Sequence, residues 1–227
     1  GRLLLEAAEH LVGETRALAR GWETDITIAV DALVPLQALY PLVERLAELT
    51  DTRLRLRAEV LAGSWECLED GRADLLISSR NPDITLTGIK HQPLQEEVML
   101  YVAHPDHPLH GEPEPLADET LRRYRAIAIA DTARRKPALT YRLLDKQPRL
   151  TVSTMGEKRD ALLAGIGVGT MPLSWIQEDI KAGRLKVIGP EYRHQVQVVL
   201  AWRRDTMGKA KSWLVREIPK LFPCKGE

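Results

Sequence analysis

The sequence predicts an α/β protein of two similar strand-and-helix units with one amphipathic helix ahead of them. Three observations carry that prediction. Short apolar or alternating runs rich in Val, Ile and Leu recur along the chain. Segments of helical period separate them, and the connections between the two kinds of segment are short.

Residues 2–20 (RLLLEAAEHLVGETRALAR) come first. Leu4, Ala8, Leu11, Thr15 and Leu18 step by four and three residues and draw one apolar seam along a helix. A lone helix of this length is marginal in water. Its seam therefore covers either the chain's own core or the same seam of a second copy, and Gly21 ends it. In the first unit, Asp25–Val30 (DITIAV) reads as a strand and Leu33–Leu49 as a helix entered through Pro35. Leu54–Val60 (LRLRAEV) alternates like a second strand. Ser64 is expected to cap a helix over Trp65–Asp70, Gly71 to close it, and Ala73–Ser78 (ADLLIS) to form the third strand. Gln95–Ala103 is a further strand, and His104–Leu116, rich in His and Pro, a loop. The second unit follows with strands at Arg125–Ala130 (RAIAIA), Leu150–Val152 and Val168–Met171 and helices at Met155–Ala164 and Ser174–Lys181. Strands at Arg184–Ile188 and Gln195–Arg203 and an amphipathic helix at Lys209–Leu221 close the chain.

Composition narrows the function. Thirty-two basic and 32 acidic residues cancel over 227 positions, without the basic excess of a surface that meets phosphates. Cys67 and Cys224 lie far apart and fit no metal spacing; they read as free thiols of a reducing cytoplasm or, alternatively, as a redox switch. No apolar run approaches the ~20 residues that span a bilayer. Leu3-Leu4-Leu5 gives way at once to Glu6, Glu9 and His10, unlike a signal peptide.

Nothing reads as an active site. GxSxG, HExxH and P-loop patterns are missing from the sequence. Gly165-Ile166-Gly167-Val168-Gly169 follows a helix and precedes a strand, the reverse of a dinucleotide fingerprint, and reads as a tight turn. His104, His107 and His110 are interrupted by Pro105 and Pro108 and lack a further ligand. No metal and no cofactor is expected. Two helix starts look suited to holding an acceptor group of a ligand, one at Ser64 and one at the T-x-x-E box Thr154–Glu157. Both follow strands, where ligands of open α/β sheets collect. Substituting Ser64 or Thr154 is thus expected to weaken ligand response more than folding. Asp31 and Asp131 end equivalent strands and could grasp hydroxyl or amino groups of a ligand, or do acid–base work.

The run from Asp25 to Ser79, the block VMLYVAHPDHPL, the stretch TVSTMGEKRDALLAGIGVGTMPLSWI and GRLKVI with a later strand ending in WRRD together resemble the effector domains of LysR-type transcription regulators. The resemblance covers essentially the whole chain, and the order and spacing of the blocks make it specific. It implies two Rossmann-like lobes of the periplasmic-binding-protein type II kind, joined by crossing strands near 93–98 and 190–196. Residues 1–22 would be the linker helix that pairs subunits, 23–95 with 194–227 the first lobe, and 96–193 the second. A winged helix-turn-helix would precede residue 1. Inducer contacts would fall at Asp31, Ala32 and Leu33; at Gly63, Ser64 and Trp65; at Ala130, Asp131 and Thr132; at Ser153, Thr154 and Met155; and at Met171 and Pro172. The implied partners are a small-molecule effector, a second or further copies of the chain, and promoter DNA through the helix-turn-helix. The effector is expected to be a flat aromatic or other unsaturated compound held between Trp65 and Met155. A solute-binding receptor for a transporter shares the two-lobed cleft and is the alternative; a transferase on the same lobes would want a reactive cysteine or lysine in the cleft.

Overall fold

The computed structural model describes residues 2, 4, 5, 8, 11, 12, 21–80, 87–205 and 207–222. Most of the expected linker helix, Thr15 and Leu18 included, and Cys224 lie outside the described residues. Those described between 2 and 12 are helical, and Leu4, Leu5, Leu11 and Val12 are exposed.

Strands β1 (Asp25–Asp31), β2 (Arg53–Glu59) and β3 (Leu75–Ser79) form a parallel set with β1 in the middle. The long β4 (Ile89–Ala103) and β9 (His194–Arg203) pair antiparallel from Ile89 opposite Arg203 to Met99 opposite His194, with an irregularity between Pro93 and Gln95. One end of this pair joins the first set through β3. The other end of β4 carries β7 (Val168–Pro172) and the short β8 (Lys186–Val187). Beyond β7 lie β5 (Ala126–Ile129) and β6 (Arg149–Val152), parallel to one another. Two α/β lobes thus share two strands, and among the described residues the nine strands are connected edge to edge.

Each lobe is covered on both faces, which is why its central strands read as continuous apolar runs. In the first lobe Ile28 and Ile77 face Leu42 and Leu46 of helix α1 (Tyr40–Ala47) and Leu214 of helix α6 (Lys209–Glu217). Their neighbours Ala29 and Leu76 face Trp65, Cys67 and Leu68 of helix α2 (Ala62–Glu69). Helix α3 (Asp118–Arg122) brings Leu121 against Tyr101 and Ala103 on one side of the second lobe. On the other, Leu100 and Val102 meet Met155 and Leu162 of helix α4 (Met155–Leu163) and Ile176 of helix α5 (Leu173–Lys181).

Several boundaries differ from expectation for local reasons. The helix expected over Leu33–Leu49 is a 3-10 turn at Leu36–Leu39 followed by α1. Pro41 has no N–H to give to Gln37, so one α-ladder cannot run through both. The strand expected at Gln95 begins at Ile89, because Ile89, Lys90, His91 and Gln92 find partners on β9 that their polar sequence does not announce. Residues 190–192 are a 3-10 turn, and the returning strand starts at His194. The helix expected to start at Trp65 starts at Ala62; Ser64 lies inside it and caps nothing. At Gly165, φ is +73°, the left-handed turn that lets α4 reverse into β7.

Candidate functional site

A cavity of about 360 Å³ opens between the lobes. Its walls are mostly apolar, with Ala32 and Leu33 beyond β1, Met99 of β4, Ala128, Ile129 and Ala130 at the tip of β5, and Met155 of α4. Of the residues singled out in the sequence, Asp31, Ala32, Leu33, Ala130, Asp131 and Met155 line it. Gly63, Ser64, Trp65, Thr132, Ser153, Thr154, Met171 and Pro172 do not. Trp65 is turned into the first lobe's core, its indole N–H donating to the Ser79 carbonyl at 3.2 Å, so it cannot flank a ligand ring with Met155. Ser153 and Thr154 are exposed at the start of α4. Met171 belongs to the second lobe's core and Pro172 is buried at the end of β7.

The two expected helix starts are both occupied by the protein itself. Thr154 Oγ1 accepts from the Glu157 N–H at 3.1 Å, and the Glu157 carboxylate takes the N–H groups of Ser153 and Thr154. Helix α2 starts from Leu61, whose φ of +52° turns the chain sharply out of β2 and whose side chain offers no cap. Its first amides meet the two aspartates instead. Asp131, reaching across from the second lobe, accepts from Ala62 N at 3.2 Å and Gly63 N at 3.0 Å. Its own turn adds Ala133 N at 2.8 Å and Leu139 N at 2.7 Å, which fills both oxygens. Asp31 accepts from Leu33 N, Leu61 N and, at 2.6 Å, the buried Ser64 hydroxyl. Burial pushes the Asp31 carboxyl above its ordinary range, the nearby Asp131 charge adds to that, and the three hydrogen bonds oppose it. The expected task of these aspartates, grasping ligand hydroxyl or amino groups, is therefore replaced. They close a helix end that carries a partial positive charge.

The same loop of the second lobe clasps α2 further along. Thr132 Oγ1 accepts from Val60 N at 2.9 Å. The buried Glu66 carboxylate accepts from the N–H groups of Arg134, Arg135 and Lys136 at 2.9, 3.1 and 3.0 Å. The Lys136 amide, then those of Arg134 and Arg135, hold Glu66 down to about 2 against its own burial. Arg135 pairs with Asp70, and Lys136 with Glu69 at 2.6 Å. Gly63 makes the approach possible, since a Cβ there would stand 2.1 Å from Thr132 Oγ1.

Of the polar residues lining the cavity that did not stand out in the sequence, Ser79, Thr140, Tyr141, Arg149 and Thr151 are exposed or half-buried, and two are buried. Lys158, on α4 one turn after Met155, is 7% exposed; burial alone pushes its ammonium down to about 8. Thr170 of β7 is 5% exposed, and its hydroxyl has no hydrogen-bond partner among the described residues. The sequence carries one faint sign of this: Met155, Lys158, Ala161 and Leu162 form the buried face of α4, where a lysine interrupts the apolar pattern. The three histidines bond within their own loop, His104 and His107 accepting from Asp106 N and Leu109 N. Among the described residues no group of three or more His, Cys, Asp or Glu could hold a metal ion, and no helix is long and apolar enough to cross a membrane.

The family model of the LysR substrate binding domain matches residues 19–222. The chain is 54% identical over 225 residues to the probable HTH-type transcriptional regulator YhaJ of Escherichia coli K12, covering 99% of this chain and 76% of that protein. It is 32% identical over 222 residues to the uncharacterized HTH-type transcriptional regulator YeeY of the same organism, covering 96% and 71%. Two solved structures share the fold at low identity. Full-length LysG of Corynebacterium glutamicum with bound effector Arg superposes with a TM-score of 0.70 at 18% identity, over 93% of this chain and 72% of that one. The regulatory domain of CrgA, a LysR-type transcriptional regulator of Neisseria meningitidis, gives 0.62 at 16%, over 88% and 98%. Two lobes on shared strands, a cavity between them and regulators as relatives agree: the chain belongs to the LysR family of transcriptional regulators, whose effector-binding domain it forms.

Proposed function

We propose that the interlobe cavity is the effector site and that its occupancy is transmitted to a DNA-binding domain ahead of residue 1. The cavity carries this reading: it is bounded by strand tips of both lobes, so whatever fills it contacts both at once. A ligand making different contacts in two lobe arrangements shifts the population between them, and ~1–3 kcal/mol of such coupling is ordinary for a switch. Residues 1–22 would pair subunits in a homodimer or homotetramer; the exposure of Leu4, Leu5 and Leu11 on the described helical residues supports an apolar seam awaiting a partner. The working compartment would be the cytoplasm, where promoter DNA is reached.

Thermal-shift screening of a metabolite library tests the site. A ligand at one hundred times its Kd adds ~2.7 kcal/mol, roughly 5–10 °C for a chain of this size. Leu33→Trp, which fills the cavity from the first lobe, should abolish the shift of every true effector. Hits that all bind Leu33→Trp as tightly as the original protein would place the site elsewhere.

A further inference from the structure

Burying a lysine in an apolar wall without a carboxylate beside it disfavours the fold. Lys158 is in that position. Its aliphatic stem packs over Gly169, where an added Cβ would stand 3.1 Å from Lys158 Cε, and Nζ lies 3.6 Å from the same point. The next residue along β7 is Thr170, with its unpartnered hydroxyl. Both line the interlobe cavity. The acidic residues that also line it, Asp31 and Asp131, have their oxygens engaged by the amides around α2 and the Ser64 hydroxyl. Burial lowers the Lys158 ammonium, and the oxygens of both aspartates are already taken by other donors. An ammonium and a hydroxyl thus face a cavity whose remaining lining is mostly apolar, Leu33, Met99, Ala128 and Met155 among it, with Tyr141, Arg149 and Thr151 as further polar groups.

We propose that the effector is a small apolar carboxylate: the carboxylate is held by Lys158 Nζ and Thr170 Oγ1, and the hydrocarbon part fills the apolar remainder of the cavity. This rests on the cavity being the effector site and adds the chemical class of what enters it. A charge-assisted hydrogen bond to the ammonium and a second bond from the hydroxyl satisfy both buried donors.

The experiment uses the chain carrying 13C-labelled lysine ε-methylene and methionine methyl groups, titrated with acetate and benzoate and with the neutral acetamide and benzamide. Acetate is small enough to reach Lys158 whatever hydrocarbon the natural effector carries. Both carboxylates should move the Lys158 resonance saturably and the two amides should not. Thr170→Val should weaken benzoate at least five-fold. Lys158→Met should abolish the binding while raising the melting temperature of the ligand-free protein, whereas removal of a merely structural lysine would lower it. No saturable movement of Lys158 with either carboxylate overturns the proposal. Benzamide equal to benzoate at the Met99 and Met155 methyls also overturns it and leaves the cavity as the effector site; silence of those methyls with all four probes counts against the cavity itself.

Discussion

Lys158 makes a trade between folding and function measurable at one atom. An ammonium at about 8 in the fold and at the ordinary 10.5 when unfolded destabilises the protonated fold by about 3 kcal/mol. Between those values the unfolded chain binds more protons than the folded one, so stability climbs as pH rises from about 8 to 10.5. Urea midpoints measured across that range should rise more in the original protein than in Lys158→Met, the difference being the Lys158 contribution, with the variant more stable at neutral pH. Gly63 is the opposite case, a residue whose smallness holds the lobes together. In Gly63→Ala the added carbon would sit 2.1 Å from Thr132 Oγ1 and 2.5 Å from the Thr132 carbonyl carbon. The clasp should release, and small-angle scattering should report a larger radius of gyration. Lys158 is not conspicuous in the sequence, and Gly63 is singled out there only as an inducer contact that the resemblance implies, not as the point where the lobes meet. A lysine on a helix and a glycine before a serine are ordinary until the other lobe is placed against them.

At the scale of elements, helices α2 and α4 show what was legible and what was not. The box Thr154–Glu157 is local, its partners three residues apart, and the structure has it as read. The start of α2 is closed by Asp131, 68 residues from Gly63, and no local pattern encodes that; the nearby serine drew the assignment instead. The consequence for substitution is a reversal at Ser64. Ser64→Ala removes a donor from the buried Asp31 and should lower folding stability by about 1–3 kcal/mol in urea unfolding, with ligand affinity nearly unchanged. Thr154→Ala should cost about 1 kcal/mol through loss of the cap. Strands β1, β3 and β5 were legible because runs such as ITIAV and AIAI, buried on both faces, admit few alternatives. The early part of β4 was not, since Lys90, His91 and Gln92 owe their extended form to β9 alongside them.

Across the whole molecule, the lobes are joined by two strands and by a clasp of polar contacts between α2 and residues 131–136. Glu66 anchors the far end of that clasp and is held at about 2, well below its ordinary 4.5. A carboxylate depressed in the fold lends its stability above the unfolded value and loses it as pH falls through the folded one. Interlobe distances followed by fluorescence transfer should therefore hold from neutrality to about pH 4 and lengthen on acidification towards about 2. Glu66→Gln should lengthen them already at neutral pH, because an amide nitrogen would face backbone donors. The closeness of Gly63 to Thr132 and the bond from Gly63 N to Asp131 reach into inheritance as well as mechanics. Contacting positions do not vary independently. A library randomised at 63, 131 and 132 and sorted for a working switch should return these three as a unit, each tolerated change at one answered by a change at another.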